Sequence, residues 1–451
     1  MKHKVYLACT CAALAAAACA SSEADPGVVD PGGPDSSASV VDEGDAATPR
    51  DDVDAGGDGA APDAGPSCSP RGWCVTRLPD SDLTFRDLWA FPGRALAIAT
   101  SATLGVRVLE WTEASGAWSY IDDNAQNESG HGAFVGKMWA PSPDELYFTV
   151  APHTVFRGTR SASPGTWSWT HWELEDRIPV YTAPTFQYPN HYKGLPRQSD
   201  GTEHAALGVF GTSAGEVYAW FANAIYKLSS DDAGVPTWSV EYVADDIARP
   251  DEQLFFVAAT GTAPDDLWFA GGRTGNPNDT KNCAMVVHKT AGTYRRVADA
   301  VRDTSAFPTF PSKPPCATKP GTVLVEGKTG WLTDIAVESS SSVVALKASS
   351  VVARITVSGD VYSSSVFAVP GTITGSVPLF SMWTTPSEPI WLGGTRVLAR
   401  GADIWDGGAF ELSSISLNGA PLDTVVHRVR GSSNSDRWAV GARYALHKTT
   451  P

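Results

Sequence analysis

The side chains able to do chemistry are scattered along this chain and not grouped. Nine histidines are present, and His153, His204 and His427 show no partner spacing. No G-x-S-x-G, H-E-x-x-H or P-loop pattern occurs, so the nucleophile, zinc and phosphate-cradle chemistries they serve are not announced. Of seven cysteines, Cys9, Cys11 and Cys19 fall at the apolar N-terminus. Cys68, Cys74, Cys283 and Cys316 remain, an even number without zinc-type spacing. They suggest disulfides Cys68–Cys74 and Cys283–Cys316, with free or metal-binding thiols as the alternative. The oxygen-rich stretches DDNAQNE (122–128) and NPNDT (276–280) lack the ligand spacing of an EF-hand and read as polar loops. No metal and no cofactor is expected. The richest set of recognition side chains lies in the stretch 175–204: Tyr181, Phe186, Tyr188, His191, Tyr192 and Arg197. Rings with one polar edge suit sugar faces or protein hot spots. The plainer alternative is that they fold the stretch onto its own domain.

The segments that carry these residues differ sharply in composition. Lys2, His3 and Lys4 precede an apolar run, Val5 to Ala18, too short to cross a bilayer, which reads as an export signal. Ala16-Ala17-Ala18-Cys19 resembles the lipobox of bacterial lipoproteins, although Ala16 stands where leucine is usual. The resemblance implies a signal over 1–19, acylation of Cys19 and a membrane attachment by lipid anchor alone. Ordinary cleavage after Ala20 would instead free the protein. Residues 20–67 follow, with twelve acids, one base (Arg50) and no aromatic residue. Such a segment buries too little apolar surface to offset its chain entropy and is expected to be a disordered linker, with a reach of about 40 Å. It supplies −11 of the chain's −16, and the two N-terminal lysines add +2, which leaves −7 for 68–451. Without a basic stripe to neutralise phosphates, nucleic acid is not an expected partner.

Within 68–451 one pattern recurs. APDDLWFAGG (263–272) has relatives in SPDELYFTV, SAGEVYAWF, SSSVVALKA, PSEPIWLGG, SNSDRWAVG and the weaker PGRALAIAT. Each follows an apolar stretch: FRDLWAF, VGKMWA, AALGVFG, FFVAATG, WLTDIAV, LFSMWTT or VVHRVRG. Each pair reads as strand, tight turn, strand, usually with a second hairpin after it. Seven units of four short strands predict an all-β, seven-bladed β-propeller, because one small sheet cannot cover its own faces and seven around an axis cover each other. The last unit has three strands. Its fourth is expected from 72–78 (GWCVTRL), with Trp73 taking the place that Trp118, Trp167 and Trp238 hold elsewhere.

The domain resembles bacterial exported propeller repeat proteins, whose units carry a degenerate W…DDLW-G pattern. In addition, Ser230 to Trp238 is similar to the Asp-box of sialidase-type propellers, broken by Pro236; in that family the box is structural. The same family implies an arginine cluster, but no spacing selects one among Arg107, Arg157, Arg273, Arg354 and Arg396. All the long insertions fall in the loops between second and third strands or between blades, on one face of the disc, and long loops in a compact domain are usually functional. The expectation is therefore a monomeric, lipid-anchored recognition module of the cell envelope. It binds an envelope or extracellular protein or glycan through that face. The alternative is a glycan hydrolase or lyase using the same face, and whether the chain is an enzyme stays open.

Overall fold

The computed structural model describes residues 67–127, 135–162, 165–175, 206–249, 252–274, 282–302, 316–375, 377–386, 388–413, 415–417, 420–421 and 423–450. Cys19, most of the acidic linker and the six site residues from Tyr181 to Arg197 lie outside them.

The described strands form eight antiparallel sheets: the seven blades of a β-propeller and a two-stranded ribbon, Ser416–Leu417 with Ala420–Pro421. With strands named A to D from the axis outward, blade 1 is Thr84–Phe91, Arg94–Ser101, Gly105–Thr112 and Ala117–Tyr120. Blade 2 is Val135–Ser142, Glu145–Val150, Thr154–Arg160 and Trp167–Glu173. Blade 3 is Leu207–Ser213, Glu216–Phe221, Ala224–Ser230 and Pro236–Val243. Blade 4 is Gln253–Ala263, Asp266–Thr274, Cys283–Thr290 and Thr293–Arg302, with Cys316–Thr318 as a fifth, outermost strand. Blade 5 is Leu332–Ser339, Ser342–Lys347, Val351–Ser358 and Val361–Ala368. Blade 6 is Leu379–Trp383, Ile390–Gly394, Val397–Gly401 and Phe410–Leu412.

Blade 7 takes strands A to C from Val426–Ser433, Asp436–Gly441 and Tyr444–Lys448, and strand D from Trp73–Val75. The register pairs Trp73 with Lys448 and Val75 with Leu446. The closing strand is shorter than the stretch 72–78 suggests. Gly72 turns at φ +79° on one side, and on the other Arg77 leaves blade 7 to bridge Ala117 of blade 1. Thr76 ties the crossing: its N–H and hydroxyl both donate to the Ala445 carbonyl, and its hydroxyl accepts the Trp118 indole N–H at 2.9 Å. Both expected disulfides are formed.

Each blade seals against the next through its own apolar cluster. Leu96, Ile98, Met138 and Phe148 join blades 1 and 2; Trp220, Phe256 and Phe269 join blades 3 and 4. Phe85, Trp118, Trp438 and Val440 join blade 7 back to blade 1, so the ring is closed. Strands buried on both faces read as continuous apolar runs, as in Ser342–Lys347, whereas the outer strand Val361–Ala368 alternates exposed and half-buried positions.

The recurring acid-x-aromatic of the sequence has a definite job. In blade 2, Glu145 accepts from Tyr147 Oη at 2.8 Å and Arg157 Nε at 2.9 Å. In blade 3, Glu216 takes Tyr218 Oη and Lys227 Nζ, both at 2.9 Å. In blade 4, Asp266 holds Trp268 Nε1 at 3.0 Å and His288 Nε2 at 2.9 Å, with the two rings stacked 3.6 Å apart. In blade 7, Asp436 holds His447 at 2.7 Å, stacked on Trp438. Each acid at the start of strand B fixes a basic or imidazole side chain of strand C over the aromatic between them. Among the outer tryptophans, Trp73, Trp118 and Trp238 sit at one level; in blade 2 that level belongs to Trp169 and not Trp167, because Leu146 pairs with Gly158 and Gly158 with Trp169.

A candidate binding site at the hub

The innermost strands decide what the axis contains. In blades 1, 4, 5, 6 and 7 one residue of strand A bulges out of register: Arg86, Val257, Thr333, Phe380 and His427. A bulge frees backbone groups from the ladder and re-aims the next side chain. Polar residues that follow the bulge repair the loss. Asp87 accepts the N–H of Leu88 at 2.9 Å and of Met138, in the next blade, at 3.0 Å. Asp334 accepts from Ile335 at 3.2 Å and from Met382, again one blade on, at 3.0 Å. Ser381 Oγ accepts Val429 N–H of blade 7 at 3.0 Å.

Arg428, the post-bulge residue of blade 7, bridges the two aspartates. Its Nε lies 2.7 Å from Asp87 and its Nη1 2.5 Å from Asp334, and all three side chains are 3% exposed or less. Burial works against its charge, but the carboxylates of Asp334 and Asp87 outweigh this and raise its pKa. Burial likewise opposes ionisation of Asp334, and Arg428, Lys137 and Arg430 hold its carboxyl below the usual range. Two more cations face this core. Burial, then Arg428, pushes the Lys137 ammonium down to about 8. The same two causes push Arg430 down to about 10. Arg430 is 3.7 Å from Asp87 and stacks on Trp89, 4.7 Å from the ring centre. Three cations thus share two carboxylates that already accept backbone N–H bonds, and the hub is left with a positive surplus.

Above this floor opens a cavity of about 780 Å³, to which the inner strand or A–B turn of every blade contributes. Its walls carry Trp89, Phe91, Trp139, Phe210, Met382 and Trp383, with Arg430 as their cation. Its rim is Ser and Thr hydroxyls and the backbone of the A–B turns, Ser213, Thr262 and Thr385 among them. Glu145 at the rim is neutralised by Arg157 at 2.8 Å. The volume is that of a ligand site, and the mixture of rings with few fixed polar groups is typical of one.

This mouth lies on the face of the short A–B turns, at the other ends of the strands from those that the long insertions connect. Tyr181, Phe186, Tyr188, His191, Tyr192 and Arg197 are outside the described residues, as is His204. The five arginines singled out by sequence do not converge. Arg107 pairs with Asp122, Arg157 with Glu145 and Arg354 with Glu338, while Arg273 is enclosed by Asp246, Glu252 and Asp299. Arg396 is a left-handed turn residue, at φ +57°. Asp231 caps the C–D turn of blade 3, accepting from Ala233 and Val235 N–H at 2.9 and 2.8 Å, a structural role. His427 is half-buried beside Phe380. Among the described residues no cluster of three or more His, Cys, Asp or Glu could hold a metal. The hub residues were missed, yet they stand in the sequence as one or two charges inside each otherwise apolar strand: FRDLWAF, VGKMWA, WLTDIAV, VVHRVRG.

No family model and no curated protein matches the chain. Among solved structures it is similar to YCF48 from Cyanidioschyzon merolae, with 12% identity, a TM-score of 0.52, and 84% of this chain and 98% of that one covered. It is similar to YCF48 bound to D1 peptide, with 10% identity, a TM-score of 0.51 and coverage of 86% and 98%. The β-propeller domain of Cps50 (Swd1) from Myceliophteria thermophila gives 10%, 0.51, 84% and 100%. At these identities the likeness speaks for the propeller fold alone.

Proposed function

We propose that this chain is a protein-recognition module whose hub mouth receives an extended segment of a partner protein. Apolar side chains of that segment lie against Trp89, Trp139 and Trp383, and a carboxylate of the segment meets Arg430. The observation that carries the reading is the aromatic cavity shared by all seven blades over a floor with surplus positive charge. The net positive charge of Lys137, Arg428 and Arg430 over Asp87 and Asp334, set beside apolar walls, favours an incoming anion. Asp87 and Asp334 are both committed to N–H and guanidinium bonds, which favours a binding role over glycan hydrolysis or lysis. A propeller of similar fold, YCF48, has been solved with a peptide bound, which supports the class of partner without identifying it.

In the same reading the signal 1–19 exports the chain, Cys19 is acylated, and the linker 20–67 holds a monomeric propeller off the envelope membrane. Acylation is tested by a fatty-acid probe, whose label Cys19→Ala should lose. The site is tested by selecting ligands for the full chain from a random peptide library. Selected peptides should carry a carboxylate near aromatic or aliphatic residues. Arg430→Ala and Trp89→Ala should each weaken them about tenfold or more, the size of one charged hydrogen bond. If both variants bind as the parent does while deletion of 176–205 abolishes binding, the site belongs to the opposite face.

A further inference from the structure

A second cavity, of about 480 Å³, opens between blades 6 and 7 and shares no lining residue with the hub mouth. It is lined by Arg71, Trp391, Arg400, Glu411, Ser413 and Lys448, among others. Behind its Trp391 wall lies Arg437, fully buried, with its guanidinium 4.4 Å from the indole centre. A buried guanidinium normally has an acidic partner, since an uncompensated charge in the interior is strongly unfavourable. Among the described residues Arg437 has only neutral acceptors, the Asn434 side-chain oxygen and the Thr450 carbonyl at 3.0 Å, and its Nε has none. The indole N–H of Trp391 is likewise buried without an acceptor.

The neighbouring charges make the imbalance larger. Burial, then Arg400, pushes Arg437 down to about 10. Lys448, 6% exposed, is lowered by burial and by Arg437, Arg400 and Arg71. Among the described residues four cations therefore crowd this region, near the carboxylates of Glu388 and Glu411. Among the described residues neither carboxylate comes within 4.0 Å of Arg71, Arg400 or Arg437. This holds even though Arg400 and Glu411 face each other across strands C and D.

We propose that this cleft is a binding site for a phosphate or sulfate group. Arg71 and Arg400 approach the cleft from different stretches of chain, and a tetrahedral group offers acceptor oxygens in several directions, where a planar carboxylate has only two. Arg71 precedes the closing strand, Lys448 ends the strand it pairs with, and Trp391 and Arg400 belong to blade 6. The bound anion therefore joins three separate stretches of chain at the seam of the ring, and binding to the folded state alone raises stability.

The test is titration of the full chain with inorganic phosphate, and separately sulfate, by calorimetry and thermal unfolding. Ionic strength is held constant with chloride. Both anions strengthen apolar burial in any protein by exclusion from its surface, so the variants decide. Arg71 and Arg400 are exposed, and the double variant Arg71→Ala, Arg400→Ala keeps the buried groups in place. Saturable binding that is at least about tenfold weaker in the double variant is expected. In Glu411→Gln, which removes repulsion, it should be tighter. A response to both anions supports a site for tetrahedral dianions in general, and a response to phosphate alone supports one for phosphate monoesters. A shift that rises without saturating, equals that in chloride, or is unchanged in the variants overturns the proposal.

Discussion

At the scale of residues, Arg428 decides whether the hub is stable. It is the shared counter-ion of Asp87 and Asp334, which in turn hold backbone amides of blades 2 and 6. Removing one member of a buried ion network leaves the others uncompensated. Arg428→Met should therefore lower unfolding stability in urea by about 3–5 kcal/mol. His427, in the bulge just before it, gives a pH signature. Burial, then Arg86, pushes its pKa down to about 4, below the ordinary value near 6.5. A folded-state pKa below the unfolded one means the unfolded chain binds the extra proton first. The histidine contribution is then present above about 6.5 and is lost as the pH falls towards 4. Between pH 7.5 and pH 5 the loss should be about 1–2 kcal/mol after allowing for partial exposure. His427→Gln should abolish that increment in parallel denaturation curves, whatever the carboxylates contribute.

At the scale of elements, the three-residue strand Trp73–Val75 does more than its length suggests. Trp73 is fully buried, meets Trp391 edge-on at 5.8 Å and donates its indole N–H to Ser413 at 3.0 Å. Trp73→Ala should cost about 3–5 kcal/mol, as large aromatic truncations in cores do, read as a lower urea midpoint. This strand and the seven A–B hairpins were legible in the sequence for a physical reason. An acid two residues before an aromatic is needed wherever a strand C cation or imidazole must be pinned over a ring, so Glu145, Glu216, Asp266 and Asp436 repeat visibly. The hub charges were also visible singly, but which of them meet was not. Arg428 and Asp334 lie 94 residues apart, and only closure of the ring brings them together. Loop length drew attention to the opposite face, and the residues it singled out there, Tyr181 to Arg197, lie outside the described residues. The hub cavity is built from short turns and from tryptophans that read as ordinary inter-blade packing, so nothing in their spacing marks it.

At the scale of the whole molecule, the ring combines a positively biased, aromatic mouth on the axis with a cation-rich cleft at its seam. The seam has a consequence in time. The hydroxyl of Thr76 meets the carbonyl of Ala445 across 369 residues. A ribosome adding 5–20 residues per second needs roughly 20–70 s to make the second after the first. Throughout that interval the earliest strand of the domain has no partner strand to pair with. Closure of the ring thus waits on the strand Tyr444–Lys448. A chain truncated before Tyr444 would leave Trp73–Val75 without its partner strand and the ring open, and should be cut by proteases faster than the parent.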